Sequence, residues 1–194
     1  GLADSLEWAN EQGGVGGKKF EYIYEDTGYD LNRAVASFKK AMAKYNPVMN
    51  YGESTGQGKA LAPEINQRYH VLYGSTSFSQ ELADRAKNPF MFVSGPTYAQ
   101  QFGVLLKYIA AHPKKKGKKP TVAFFHSDTE FGRDPIPYAT KMAKKLGVEV
   151  VAEEVTAHLG GGRFPAPVPV VALSGGTVVG RAEDPLGEAG LQVV

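Results

Sequence analysis

Apolar positions along the chain alternate between two spacings. Leu2, Leu6 and Ala9 recur one helical turn apart and stop at Gly13-Gly14, which predicts a short helix closed by glycine. Lys19 to Tyr24 is aromatic and β-branched and predicts a strand. Behind Asp30, a good N-cap, residues Leu31, Ala34, Val35, Phe38, Met42 and Tyr45 form one apolar stripe that ends before Pro47, the signature of an amphipathic helix. Short apolar runs at Val48–Tyr51, Val71–Tyr73, Phe90–Val93, Thr121–Phe125 and Val148–Val155 predict further strands. Between them lie helical stretches at 58–69, behind the cap Thr97 with Phe102, Leu105, Leu106 and Ile109, and at 134–146 before Gly147. Strands alternating with helices predict βαβ units and a parallel sheet, so the fold class is α/β, doubly wound, with an expected 2-1-3-4-5 strand order.

Two places break this rhythm. His112 to Pro120 holds five lysines, one glycine and two prolines, a solvated connection suited to joining two sheets. From Ala157 onward there is no lysine and one aromatic residue, Phe164, while Pro165, Pro167 and Pro169 alternate. Proline in a helix interior costs about 3 kcal/mol or more, so this Gly/Pro-rich tail does not predict the next helix. The expected organisation is a first lobe at 1–117, the start of a second at 118–156, and an atypical tail at 157–194.

The formal charge of +2 over 194 residues gives no ground for a nucleic-acid partner or an anionic membrane surface. No apolar run approaches the ~20 residues that span a bilayer, and no basic-then-apolar signal peptide opens the chain. With no cysteine, disulfides, thiolate nucleophiles and cysteine-bound metals are excluded. The histidines at 70, 112, 126 and 158 lack zinc spacing. Neither a metal nor an organic cofactor is implied.

Ligands of open α/β sheets bind beyond the carboxyl ends of the strands. Three turns expected there are alike: Gly52-Glu53-Ser54-Thr55-Gly56, Gly74-Ser75-Thr76-Ser77, and His126-Ser127-Asp128-Thr129-Glu130-Phe131-Gly132. Each pairs small residues, which permit close approach, with hydroxyls able to bond a small polar group. Taken singly, each could be no more than a helix cap. Three in matching positions point to a shared cleft.

Several segments, in order, resemble the type I periplasmic binding proteins of the branched-chain amino acid (Leu/Ile/Val) transporter family. They are Asn10-Glu11-Gln12-Gly13-Gly14-Val15, Glu25-Asp26-Thr27-Gly28-Tyr29-Asp30, Asn32-Arg33-Ala34-Val35, Ala60-Leu61-Ala62-Pro63-Glu64, Glu81-Leu82-Ala83-Asp84 and Phe125 to Gly132. The resemblance covers about 1–156. It implies two α/β lobes closing on a small solute, with the family's first strand expected ahead of Gly1. It further implies no catalysis, an ABC transporter permease as partner, no insertion into the membrane, and a periplasmic or otherwise extracytoplasmic location. By position, the implied ligand contacts are Ser54, Thr55, Gly74, Ser75, Thr76, Ser77, Tyr98, His126 and Phe131. The expected ligand is a branched-chain or related amino acid, with an aromatic acid, an amide or urea as alternatives. The same fold could serve as a sensory or regulatory ligand-binding domain.

Gly52-Glu53-Ser54-Thr55-Gly56 also fits G-x-S-x-G, the strand-to-helix elbow of serine hydrolases. In that reading Ser54 is the nucleophile and His126, oriented by Asp128 or Asp134, is the base. The order Ser–His–Asp does not match that class, and no HGGG-like segment precedes the serine.

Overall fold

The computed structural model describes residues 1–113 and 117–156; the tail singled out above lies outside the described residues. Helix α1 (Leu2–Glu11) is followed by α2 (Leu31–Tyr45), β1 (Met49–Gly52), α3 (Thr55–Pro63) with a π-helical extension (Glu64–Tyr69), β2 (Leu72–Ser75) and β3 (Met91–Val93). Then come α4 (Tyr98–Ala111), β4 (Thr121–Ser127), the single turn α5 (Glu130–Arg133), α6 (Ile136–Leu146) and β5 (Glu149–Thr156).

The described strands form two parallel sheets, ordered β1-β2-β3 and β4-β5. The first order is that of strands three to five in the expected 2-1-3-4-5 sheet. The predicted strand over Lys19 to Tyr24 does not form. These residues carry no regular structure, and Phe20, Tyr22, Ile23 and Tyr24 are all exposed. In the expected order that segment pairs only with a first strand, and the described residues contain none beside it, so its amides have no ladder to join. For the same reason Trp8, read most simply as a helix–sheet contact, is 64% exposed on a helix that buries nothing.

Elsewhere the local signals hold. The side chain of Asp30 accepts from Arg33 N at 2.8 Å, and Asn46 ends α2 in the left-handed region at φ 44°. Thr97 and Gln100 cap α4 reciprocally, and Gly147 closes α6 at φ 71°.

Each sheet has its own core. Phe38 and Met42 of α2, Leu61 and Ile65 of the α3 region, and Tyr73, Leu82 and Met91 pack on the three-stranded sheet. Leu106 of α4 joins Val122, Phe124, Ile136, Ala139, Ala143 and Val148 on the two-stranded sheet. Helix α4, which precedes β4 in the chain, packs with the second sheet. Elements of the two halves meet where α3, which follows β1, touches α5, which follows β4.

Candidate functional site

In the parallel ladder Gly52 is paired with Ser75. The turns that follow β1 and β2 therefore emerge side by side and are tied together. Thr76 N donates to Gly52 O at 3.1 Å, and the Thr76 hydroxyl donates to Glu53 O at 2.6 Å. Beneath them Thr55 Oγ1 and Ser77 Oγ share a proton at 2.7 Å, both residues only 1% exposed. Ser54, extended at φ −146°, caps α3 by accepting from Gln57 N at 3.1 Å.

From the other side, α4 brings Tyr98 and α5 brings Phe131, with ring centroids 5.4 Å apart and edge to face. Phe78 packs behind Tyr98 at 5.8 Å, and Tyr98 N donates to Phe78 O at 2.8 Å. The turn before α5 is held by Ser127 and Thr129, whose hydroxyls lie 2.8 Å apart, and by Thr129 accepting from Gly132 N at 3.2 Å. Gly132 has to be small: a Cβ there would lie 2.2 Å from Ser127 O.

Between these walls is an open cavity of about 200 Å³. Of the nine residues expected from sequence, Ser54, Thr55, Thr76, Ser77, Tyr98 and Phe131 line it. Gly74 instead lies within β2, where a side chain would meet the rings of Tyr51 and Phe92. Ser75 is buried beneath the turn and accepts from Ser77 N at 3.0 Å. His126 sits on β4, its Nδ1 3.0 Å from Ser127 O and its Nε2 3.3 Å from Glu153 Oε1. Neither Ser75 nor His126 is among the residues that line the cavity.

Two wall residues were not expected, Tyr29 and Glu53. Tyr29 follows Gly28, and both lie in the left-handed region, at φ 60° and 62°. That run turns the chain just before α2, and burial raises the Tyr29 hydroxyl above its ordinary value. Glu53 is half-buried, and its Oε1 accepts from the Thr27 hydroxyl. The visible signals were the Gly-Tyr pair beside Asp30 and the acid inside the small-residue turn.

An ion cluster ties α3 to α5. Lys59 of α3 reaches Asp134 at 2.9 Å, Glu130 at 3.1 Å and Glu81 at 3.6 Å. Burial opposes the charge on Lys59, but its hydrogen bonds to Asp134 and Glu130 outweigh that and hold its pKa above the ordinary lysine value.

The hydrolase alternative finds little here. Ser54 Oγ is a helix cap, and His126 directs its two nitrogens at Ser127 O and Glu153. Among the described residues no group of three or more His, Cys, Asp or Glu side chains is placed to hold a metal, and no helix is long and apolar enough to cross a membrane.

A family model described as periplasmic binding protein matches residues 1–184, past the point where the motif resemblance ends. No curated protein matches the chain. Among solved structures, the chain is similar to a branched-chain amino acid ABC transporter protein from Thermus thermophilus with bound valine, at 29% identity and a TM-score of 0.72, over 78% of this chain and 38% of that one. It is also similar to an ABC transporter substrate-binding protein from Desulfitobacterium hafniense in complex with Leu (20% identity, TM-score 0.63, 83% of this chain and 46% of that one). A solute-binding protein from Rhodopseudomonas palustris BisB5 in complex with 3,4-dihydroxy benzoic acid matches at 21% identity and a TM-score of 0.63, over 80% and 41%. The chain spans less than half the length of each.

Proposed function

The chain belongs to the periplasmic binding protein family, and on that premise we propose that it is part of an extracytoplasmic receptor that closes on a small amino acid and presents it to an ABC transporter permease. The observation that carries this reading is the cavity itself. Hydroxyl-bearing turns from the ends of two parallel strands face the rings of Tyr98 and Phe131, which come from elements packed on the other sheet.

In this reading the three-stranded sheet with α2 and α3 belongs to the first lobe, and α4 with the β4-β5 sheet opens the second, the crossing falling near Thr97. The ligand contacts both walls, so it favours the closed arrangement over the open one by the difference in its affinity for the two. The permease recognises the closed form. Amino acids are favoured because the protein with bound valine and the one in complex with Leu share this fold, although a relative of the same fold is in complex with an aromatic acid.

The test is calorimetric titration of the full-length protein with valine and leucine, together with solution scattering. Binding accompanied by a smaller radius of gyration is the expected result. Absence of both binding and contraction with these and with aromatic acids overturns the receptor reading. Ester turnover that disappears in Ser54→Ala would establish the hydrolase instead.

A further inference from the structure

We infer that Lys59 is a closure switch between two sets of carboxylates, held by Glu81 when the lobes stand apart and by Glu130 and Asp134 when they meet, so that Glu81 and Glu130 act on ligand affinity in opposite directions without touching the ligand. The inference rests on the two-lobe reading above and adds what sets the extent of closure before a solute arrives.

The partners of Lys59 fall on both sides of the lobe boundary. Glu81 lies between β2 and β3, so it moves with α3 and keeps its reach to Lys59 when the lobes part. Glu130 opens α5 and Asp134 ends it, one helical turn away, so both leave with the second lobe. The α3 face that meets them is close-packed: a Cβ on Gly56, one turn before Lys59, would lie 3.7 Å from Glu130 Cγ. None of Lys59, Glu81, Glu130 and Asp134 lines the cavity.

The distances rank the partners. Lys59 Nζ lies 2.9 Å from Asp134 and 3.1 Å from Glu130, but 3.6 Å from Glu81. The hydrogen bonds that raise its pKa come from Asp134 and Glu130. Closure thus moves the ammonium from a carboxylate 62% exposed toward one only 9% exposed, where solvent screens the attraction less. Glu81 opposes that movement twice. Its own ion pair lengthens beyond hydrogen-bond range as the lobes meet. Closure also gathers three carboxylates around one ammonium, and those like charges repel. Neutralising Glu81 removes both penalties, whereas neutralising Glu130 removes an attraction across the boundary. A solute that binds only the closed form has its observed affinity lowered by the fraction of molecules that are open, so each change at Lys59's partners is read out as affinity.

The experiment compares full-length wild type, Glu81→Gln and Glu130→Gln. Both side chains are more than half exposed, so neither substitution disturbs a core. Valine, leucine and 3,4-dihydroxy benzoic acid are titrated by calorimetry, and the radius of gyration of each ligand-free protein is measured by solution scattering. Glu130→Gln should weaken binding of whichever solute binds by about two- to fivefold, the scale of a partly exposed ion pair, and should enlarge the ligand-free protein. Glu81→Gln should tighten binding by a similar factor and make the ligand-free protein more compact. A contact that served only to stabilise the fold would shift both variants the same way. Affinities that move together, or that stay unchanged in both folded variants, overturn the switch and leave the receptor reading standing. If the wild type binds none of the three solutes, the receptor reading is what fails. The ligand-free radii then decide the switch: the order Glu81→Gln, wild type, Glu130→Gln supports it, and equal radii or any other order overturns it.

Discussion

Lys59 Nζ lies 2.9 Å from Asp134 Oδ1, and that carboxylate oxygen also accepts from the Ser79 hydroxyl at 2.7 Å. Lys59 is on α3 and Ser79 follows β2, whereas Asp134 ends α5, so this contact joins the element packed on one sheet to the element packed on the other. Ser79 is fully buried and the Asp134 side chain only 9% exposed. Water therefore screens this ion pair far less than it screens the exposed Lys40–Glu25 pair.

Lys59→Met should loosen the closed arrangement. Removing one partner of a largely buried pair leaves the Asp134 carboxylate, among the described residues, with the Ser79 hydroxyl, at a cost of about 1–3 kcal/mol. The expected readout in the full-length protein is a lower Tm and a several-fold weaker ligand affinity. Charge reversal at the exposed Lys40 should change neither by much. Equal effects at the two sites would contradict a special role for Lys59.

The pH dependence follows from the same contact. The pKa of Lys59 is raised above its model-peptide value of 10.5, so its contribution is complete below that value and is lost as pH rises through the higher folded value. The thermal stability of the wild type should fall in that alkaline window, and the Lys59→Met protein should show a smaller loss there.

Thr55 and Ser77 form a buried hydroxyl pair, and buried hydroxyls are costly to orphan. Thr55→Val or Ser77→Ala alone should destabilise by about 1–3 kcal/mol. The double variant should cost less than the sum, because the second change removes the group the first left unpaired. Additive losses in denaturant unfolding would show that the two do not depend on each other.

Tyr73 presents the opposite case. Its hydroxyl is buried with no hydrogen-bond partner among the described residues, and burial, then the charge of Glu53, drives its pKa far up. Tyr73→Phe removes an unsatisfied group and keeps the ring, so Tm should stay level or rise. Gly52→Ala places a Cβ 1.6 Å from that same hydroxyl and should lower Tm in the wild type, with partial rescue in the Tyr73→Phe background.

Gly132→Ala is expected to act on the site through the backbone. Its Cβ would press on Ser127 O at 2.2 Å, and backbone cannot yield as a flexible side chain can. Overpacking of this kind costs about 1–3 kcal/mol and should displace Phe131. Ligand affinity should fall together with Tm; a loss of Tm alone would show that Phe131 keeps its position.

Local chemistry by itself determined the elements and their order. The stripe from Leu31 to Tyr45, the caps at Asp30 and Thr97 and the stop at Gly147 depend on neighbours within a turn or two, and those neighbours are in the sequence. Six of the nine residues expected at the cavity were legible too, because a parallel sheet gathers its following turns at one edge. Other features depended on what lies across space. Lys19 to Tyr24 reads as a strand yet has no ladder beside it, and α4 packs with the second sheet because its Leu106 face meets Val122 and Phe124. Ser75 and His126 carry the right chemistry but are not among the residues that line the cavity. Glu53 lines the cavity, and its carboxylate is bonded to Thr27, distant in the chain. Sequence spacing shows which groups a turn carries; which of them face the ligand is decided by register and by partners distant in sequence.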